Sequence, residues 1–417
     1  MRGIYFGWYV VAAAIVIYTL VVGTTFASFG LYILPVSEEF SLSRADVNTG
    51  LIALNLGNAL LAPVVGRLLD RASARKVMIS CSLMIGISMV IISQTSSLML
   101  DIALIAVPVA AGLLGAGTIS GSVLLARWFK VHRGRAMALA SLGFSLGGVI
   151  VAPLIGQLIE AQGWRFAVLV MGCGSGLILT LIGLFMRDRP GQHDIEPGAA
   201  AAEPEPVEAE PEASDEALAS APAAPGALAI LRMPLFWQLS LGIGISSAIS
   251  QGLTVSLVPI ALGAGLTTME GSILISGTGI AGIVAMLVLA AWGDKVDRTV
   301  LLATIIIVVM IPCALLLVAK SYVALMLTAL VLGFTTAILA PTYIALMADR
   351  FGLAAFGTVR GLLVPVMSVT GAVSVRFIGE VYDRTNSYEF GLWVYLALSL
   401  LAAALIMMSR PRKAAAA

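Results

Sequence analysis

The stretch "LIALNLGNALLAPVVGRLLDRASARKVMISCSLMIGISMVIIS", residues 51–93, decides the fold. Two apolar runs flank a short segment that carries Arg67, Asp70, Arg71, Arg75 and Lys76. Each run is about 20 residues, the length that crosses a bilayer as a helix. A helix satisfies its own backbone polar groups in lipid, so no open-strand reading competes. The charged segment between the runs reads as a turn at the membrane surface.

The same alternation continues in both directions. Apolar runs fall at about 7–36, 47–66, 77–95, 100–126, 136–160, 164–186, 236–262, 270–292, 299–319, 322–348, 358–381 and 389–409. The expectation is an all-α membrane protein of twelve helices. Composition agrees: 59% of the 417 residues are hydrophobic and 11% charged, against about a quarter charged in soluble domains. The first run is too long for a signal-peptide core and is expected to remain as helix one.

Orientation follows from the basic residues. With both termini cytoplasmic, the inner segments hold 18 Lys and Arg and the outer loops four (Arg44, Arg165, Lys320 and Arg384). That bias obeys the positive-inside rule. Between Arg189 and Arg232 there is no basic residue, and nine acids fall there. The segment "PGQHDIEPGAAAAEPEPVEAEPEASDEALASAPAAPGA", residues 190–227, has no aromatic residue and cannot bury enough surface to fold. It reads as a disordered linker, 190–231, or else as an acidic docking segment. It separates a six-helix half, 1–189, from a second, 232–417.

The halves echo each other. "GRLLDR" (66–71) returns as "GDKVDR" (293–298), with Gly, Asp and Arg at the same spacing. "RGRAMALASLGFSLGG" (133–148) lines up with "FGTVRGLLVPVMSVTG" (356–371). Six-helix repeats are a transporter signature, with substrate held near the midplane between them.

Three scattered cysteines and two loop histidines make neither a disulfide framework nor a metal site. No phosphate-binding Gly-rich loop and no nucleophile–His pair is present, so enzyme chemistry, cofactors and nucleic-acid partners are not expected. The partners expected are a small organic anion and membrane lipid, with the chain acting as a monomer in a bacterial inner membrane.

On these residues the chain resembles the major facilitator superfamily. "GRLLDRASARK" is similar to that superfamily's loop between helices two and three, with one extra residue before the basic pair. "RWFKVHRGRAMALASLGFSLGG", "FGWYVV" and "GEVYDRTNSY" resemble the monocarboxylate and oxalate/formate porter branches. The resemblance implies that Asp70, with Arg71, caps the start of helix eleven and closes an inner gate. Asp297 is its second-half echo, and Arg127 belongs to the same inner loops. Arg75 and Lys76 read as ordinary topogenic charge. Polar and aromatic residues of helices one, four, seven and ten would then line the cavity: Tyr18, Thr25, Phe26 and Tyr32; Thr118 and Ser122; Ser247, Gln251 and Thr254; Thr335, Thr336 and Tyr343. Asn55 and Asn58 form a further polar face on helix two. The alternative for each is a hydrogen bond between helices.

Two cations fall inside helix eleven, where charge is costly and marks function by default. Arg360 lies within a turn of the inner end and can snorkel, so a structural or gating role is expected. Arg376 is 18 residues past Thr358, about 27 Å at 1.5 Å per residue, in the outer third. It either pairs with Glu380 at i+4 or faces the path and binds a carboxylate. The family's clamp of basic residues on helix eight is missing, which argues for one carboxylate on a partly apolar body. Glu380, displaced from Arg376, is the candidate coupling group. The functional expectation is a secondary transporter of small monoanions, with proton coupling open. The rivals are an exporter of hydrophobic compounds and a non-transporting sensor that signals through the acidic linker.

Overall fold

The computed structural model describes residues 5–129, 132–188, 190, 194, 227–292, 296–318 and 321–410; the side chains of 70, 71, 133, 134, 227, 290, 291 and 353–357 lie outside the description. The linker from 195 to 226 is likewise outside it.

Twelve helices are long and apolar enough to span a bilayer. They are α1 (Phe6–Ala27), α2 (Arg44–Leu69), α3 (Ala74–Gln94), α4 (Leu98–Trp128), α5 (Arg135–Gln162), α6 (Trp164–Phe185), α7 (Pro234–Gly263), α8 (Thr268–Leu289), α9 (Arg298–Val318), α10 (Tyr322–Gly352), α11 (Thr358–Thr385) and α12 (Glu389–Met408). No strand occurs among the described residues. The bundle has two six-helix pseudo-repeats, and the starts of α1 and α7 and the ends of α6 and α12 share one end, here called the junction end. The opposite end is the far end.

Local signals set the boundaries. Ser43, Ser73 and Ser321 accept from the backbone N–H of Asp46, Lys76 and Ala324 and so start α2, α3 and α10. Gly163 (φ 84°) turns α5 into α6, and Gly352 (φ 74°) breaks the long α10–α11 rod. Both need the left-handed region that glycine enters without penalty.

The expected continuous helix one is interrupted. A π-helical turn at Gly23–Ala27 ends at Ser28, and a second helical segment, Phe29–Phe40, carries the chain onward to the far end. Wide turns also occur at Ile105–Val109, Leu113–Thr118 and Gly147–Val151, in α4 and α5. Such turns often mark functional segments. Their counterparts in the second half, α10 and α11, carry Pro341 and Pro365, as α4 carries Pro108 within its first wide turn.

With little hydrophobic drive between helices in lipid, close packing rests on small residues. A Cβ on Gly86 of α3 would sit 3.2 Å from the Gly172 carbonyl of α6. In the second half a Cβ on Gly333 of α10 would run into the Thr278 carbonyl of α8. Each half has its own apolar core, and a smaller cluster joins them: Leu31, Val151 and Ile155 against Val258 and Ile275.

Candidate functional site

The two halves enclose a cavity of about 920 Å³. Its walls come from α4 (Ser122, Ala126), α5 (Met137 to Gly148), α8 (Ile275 to Met286), α10 (Leu332 to Ile344) and α11, and its floor from Ala27 and Thr254. Most of this lining is glycine, alanine, aliphatic or hydroxyl. Several hydroxyls are committed to their own helices: Ser141 donates to the Met137 carbonyl, Thr254 to Ser250 and Thr278 to Ile275. Their remaining lone pairs can accept but supply no charge. One charged side chain, Arg360, lines the cavity among the described residues, and the phenol of Tyr343 lines it too.

The cavity is closed at the far end and open toward the junction end. At the far end α2 meets α11 through a dense latch. Asp383 accepts from the backbone N–H groups of Arg44 (3.0 Å) and Ala45 (2.9 Å), the exposed first donors of α2. Asn48 Nδ2 donates to the Val375 carbonyl at 3.1 Å. Arg376 donates to the Ala45 carbonyl (3.0 Å) and to Asp46 Oδ1 (3.1 Å), and lies 3.5 Å from Glu380. Glu380 also accepts from Arg384 at 2.8 Å. The Arg44 guanidinium stacks 3.6 Å over the Tyr382 ring and donates to the Tyr388 phenol at 2.6 Å. Burial pushes that phenol up to about 12, so it stays a neutral acceptor.

The α5–α8 seam closes the same side. Glu160 accepts from the Met269 N–H at 2.6 Å, and a Cβ on Gly156 would lie 2.8 Å from the Ser272 side chain. Toward the junction end the cavity lining continues to Ala126, Met137, Ile344 and Arg360, near the junction ends of α4, α5, α10 and α11.

The Major Facilitator Superfamily family model matches residues 11–375. The chain belongs to the Major Facilitator Superfamily. Its twelve span-length apolar helices fit the multi-pass architecture of that superfamily. Its fold matches a bacterial homologue of the human lysosomal transporter Spinster, with a TM-score of 0.73 and 16% identity over 98% of this chain and 97% of that one. It also matches the nucleoside transporter NupG, with a TM-score of 0.74 and 13% identity over 97% and 99%. Among sequence relatives, monocarboxylate transporter 14 of Homo sapiens is 27% identical over 194 residues, 46% of this chain and 37% of that protein. A probable sulfoacetate transporter of Cupriavidus necator is 27% identical over 163 residues, 38% of this chain and 36% of that protein. The match therefore spans little more than a third of either relative's length.

Within this superfamily fold the residues singled out from sequence separate into groups. Tyr343 and Arg360 line the cavity, as do Ser122, Thr254 and Thr336. Tyr18 lies behind the wall: it is buried and stacks on the cavity residue Phe144, with ring centroids 4.5 Å apart. Phe26 packs into the core of the first half. Gln251 faces α11 at Gly371, Asn55 donates to the Leu51 carbonyl of its own helix, and the Thr118 carbonyl accepts from Ser122. Arg376 and Glu380 belong to the far-end latch and lie outside the cavity lining.

The residues expected at the inner gate are held within their own halves. Arg127 donates to the Leu69 carbonyl at 3.1 Å, a cation on the last turn of α2. Asp297 caps its own helix: its Oδ1 accepts from Thr299 and Val300, and Arg410 lies 3.5 Å away. Those backbone bonds hold the Asp297 carboxyl below the usual carboxylate range. The side chains of Asp70 and Arg71 fall outside the description, so their expected contact with α11 does too.

Sequence reasoning missed Asp383, Arg44 and Asn48. The signal for Asp383 was present in "GEVYDRTNSY", an acid one turn from the end of α11. Its target was not, because backbone N–H groups have no sequence signature.

Proposed function

We propose that this transporter carries small organic monoanions of the monocarboxylate class by alternating access, and that Arg360 and Tyr343 hold the carboxylate. The observation that carries this reading is the charge inventory of the cavity: one guanidinium, no described acid, and a body of hydroxyl and apolar groups. A planar fork suits a carboxylate, and the adjacent phenol can donate a further bond. One cation fits one negative charge, and the apolar wall fits the remainder of a small acid. Two relatives bear the names of organic-anion transporters, which agrees with this substrate class.

The role first weighed for Arg376 thus passes to Arg360, and Arg376 with Glu380 becomes part of an outer gate. The positive-inside bias makes the junction end cytoplasmic, so the geometry above is an inward-open state of a bacterial inner-membrane protein. The halves 1–189 and 232–417 then move as two bodies, with Asp70 and Arg71 closing the inner side and 190–231 as a tether. A single chain supplies the whole path.

Uptake of labelled monocarboxylates into proteoliposomes tests this reading. Saturable uptake of at least one acid, competed by other monocarboxylates, is expected. Transport of neutral hydrophobic compounds alone would overturn it and favour the exporter.

A further inference from the structure

A second, smaller cavity of about 130 Å³ lies inside the first half, near the far end. It is bounded by the segment Phe29–Phe40 with the end of α1, by the start of α2, by α3 and by Trp164 of α6, and Asp101 of α4 projects into it. This carboxyl is 7% exposed, and its Oδ1 has no hydrogen-bond partner. The rest of the lining is almost entirely apolar.

The groups around Asp101 do not answer its charge. From the α1 side the titratable group in the wall is Tyr32; α2 and α3 bring only apolar and glycine positions. From α6 the field of Arg165 reaches it, but that guanidinium is committed elsewhere. Arg165 binds Glu39 at 2.7 Å and donates to the carbonyls of Ser93 (3.2 Å) and Thr95 (2.6 Å). Glu39 in turn is held by Arg165 and Trp164. An ionised carboxylate without donors in such a space is costly, whereas the neutral acid is not. A metal cation would need several oxygen ligands, which this wall lacks.

The two elements that seal this cavity also carry the closed far end on their other faces. A Cβ on Gly30 would lie 2.9 Å from the Val255 carbonyl of α7, and Leu31 packs with Val258. At the start of α2, Val47 and Gly50 face Asp101's cavity, while Ala45 and Asn48 are bound by α11.

We propose that Asp101 is a proton-binding site linked to the outer gate: the closed far end holds it as the neutral acid, and release of the latch exposes it to outside water as the carboxylate. Linkage then runs both ways, so acid favours outer closure, by at most about tenfold per pH unit for one proton. The proposal rests on the alternating-access reading but needs no substrate, so its test is independent of which solute is carried.

The test is a spin-label distance across the far end, between Ser96→Cys and Glu389→Cys, in a chain whose Cys81, Cys173 and Cys313 are replaced by alanine. In reconstituted protein the short-distance population should grow severalfold from about pH 8 to about pH 5.5. Asp101→Asn should hold the short distance at both values. Asp101→Glu, which can still titrate, should retain the shift and controls for a folding defect. An Asp101→Asn protein whose distances shift with pH as the parent's do would overturn the proposal, as would a parent that shows no shift. Loss of monocarboxylate uptake with the shift intact would instead count against the substrate reading alone.

Discussion

The Asp383 carboxylate holds the backbone N–H groups of Arg44 and Ala45 at 3.0 and 2.9 Å, so that the end of α11 caps the start of α2 in the other half. A cap of this kind contributes about 0.5–2 kcal/mol, and here it exists only while the far end is closed. Asp383→Ala should therefore shift the equilibrium toward the outward-open state by roughly fivefold, taking about 1 kcal/mol as the loss. Distance distributions across the far end check this. An unchanged distribution would show that the cap is not part of the gate.

Arg376 joins the same latch, but its side chain is 45% exposed, as is that of Asp46. Ion pairs that open to water are worth about 0–1 kcal/mol. Arg376→Gln should thus keep saturable uptake with KM within about threefold of the parent, while loosening the outer gate slightly. A loss of substrate binding comparable to that of an Arg360 variant would return Arg376 to the role of anion ligand.

Gly333 tests the packing of the second half. Its absent Cβ leaves room for the Thr278 backbone, so Gly333→Ala forces α8 and α10 apart. Overpacking of this kind costs about 1–3 kcal/mol. A clear fall in melting temperature in detergent is expected, against little change for Gly174→Ala, where a Cβ would meet nothing within 4 Å.

The Glu39 clamp predicts a pH dependence. Burial raises its carboxyl, but hydrogen bonds from Arg165 and Trp164 outweigh this and hold it below the usual value. A lowered carboxyl contributes stability that is full above its unfolded value and is lost as pH falls through the folded one. The melting-temperature gap between the parent and Glu39→Gln should be constant above about pH 5 and shrink below about pH 4. A gap that persists at lower pH would mean the clamp acts through packing.

Much of this was legible in the sequence because lipid leaves so few options. Run lengths gave the twelve helices, and the basic loops gave their alternation. The depth of Arg376 was legible from helical rise, as was its i+4 neighbour Glu380. Its further partner, Asp46, was not, because that pair exists only when the far ends of α2 and α11 meet. Arg360 read as an end-of-helix residue for the matching reason. It lines the cavity here because the junction ends have parted, and a sequence does not state which end of a transporter is open. Asp101 sits in the first turn of α4, an end position in the sequence, yet the broken helix one continues to the far end and covers it.

Arg360 as the cavity's anion ligand stands or falls on initial-rate uptake of the best monocarboxylate in proteoliposomes. Parent, Arg360→Gln, Arg360→Lys and Arg376→Gln would be compared at matched folding. A charge-assisted bond contributes about 1.5–3 kcal/mol, so Arg360→Gln should raise KM roughly ten- to a hundredfold, with partial recovery in Arg360→Lys and near-parent values in Arg376→Gln. Normal KM in Arg360→Gln would contradict the account and leave the cavity as a path for uncharged solutes.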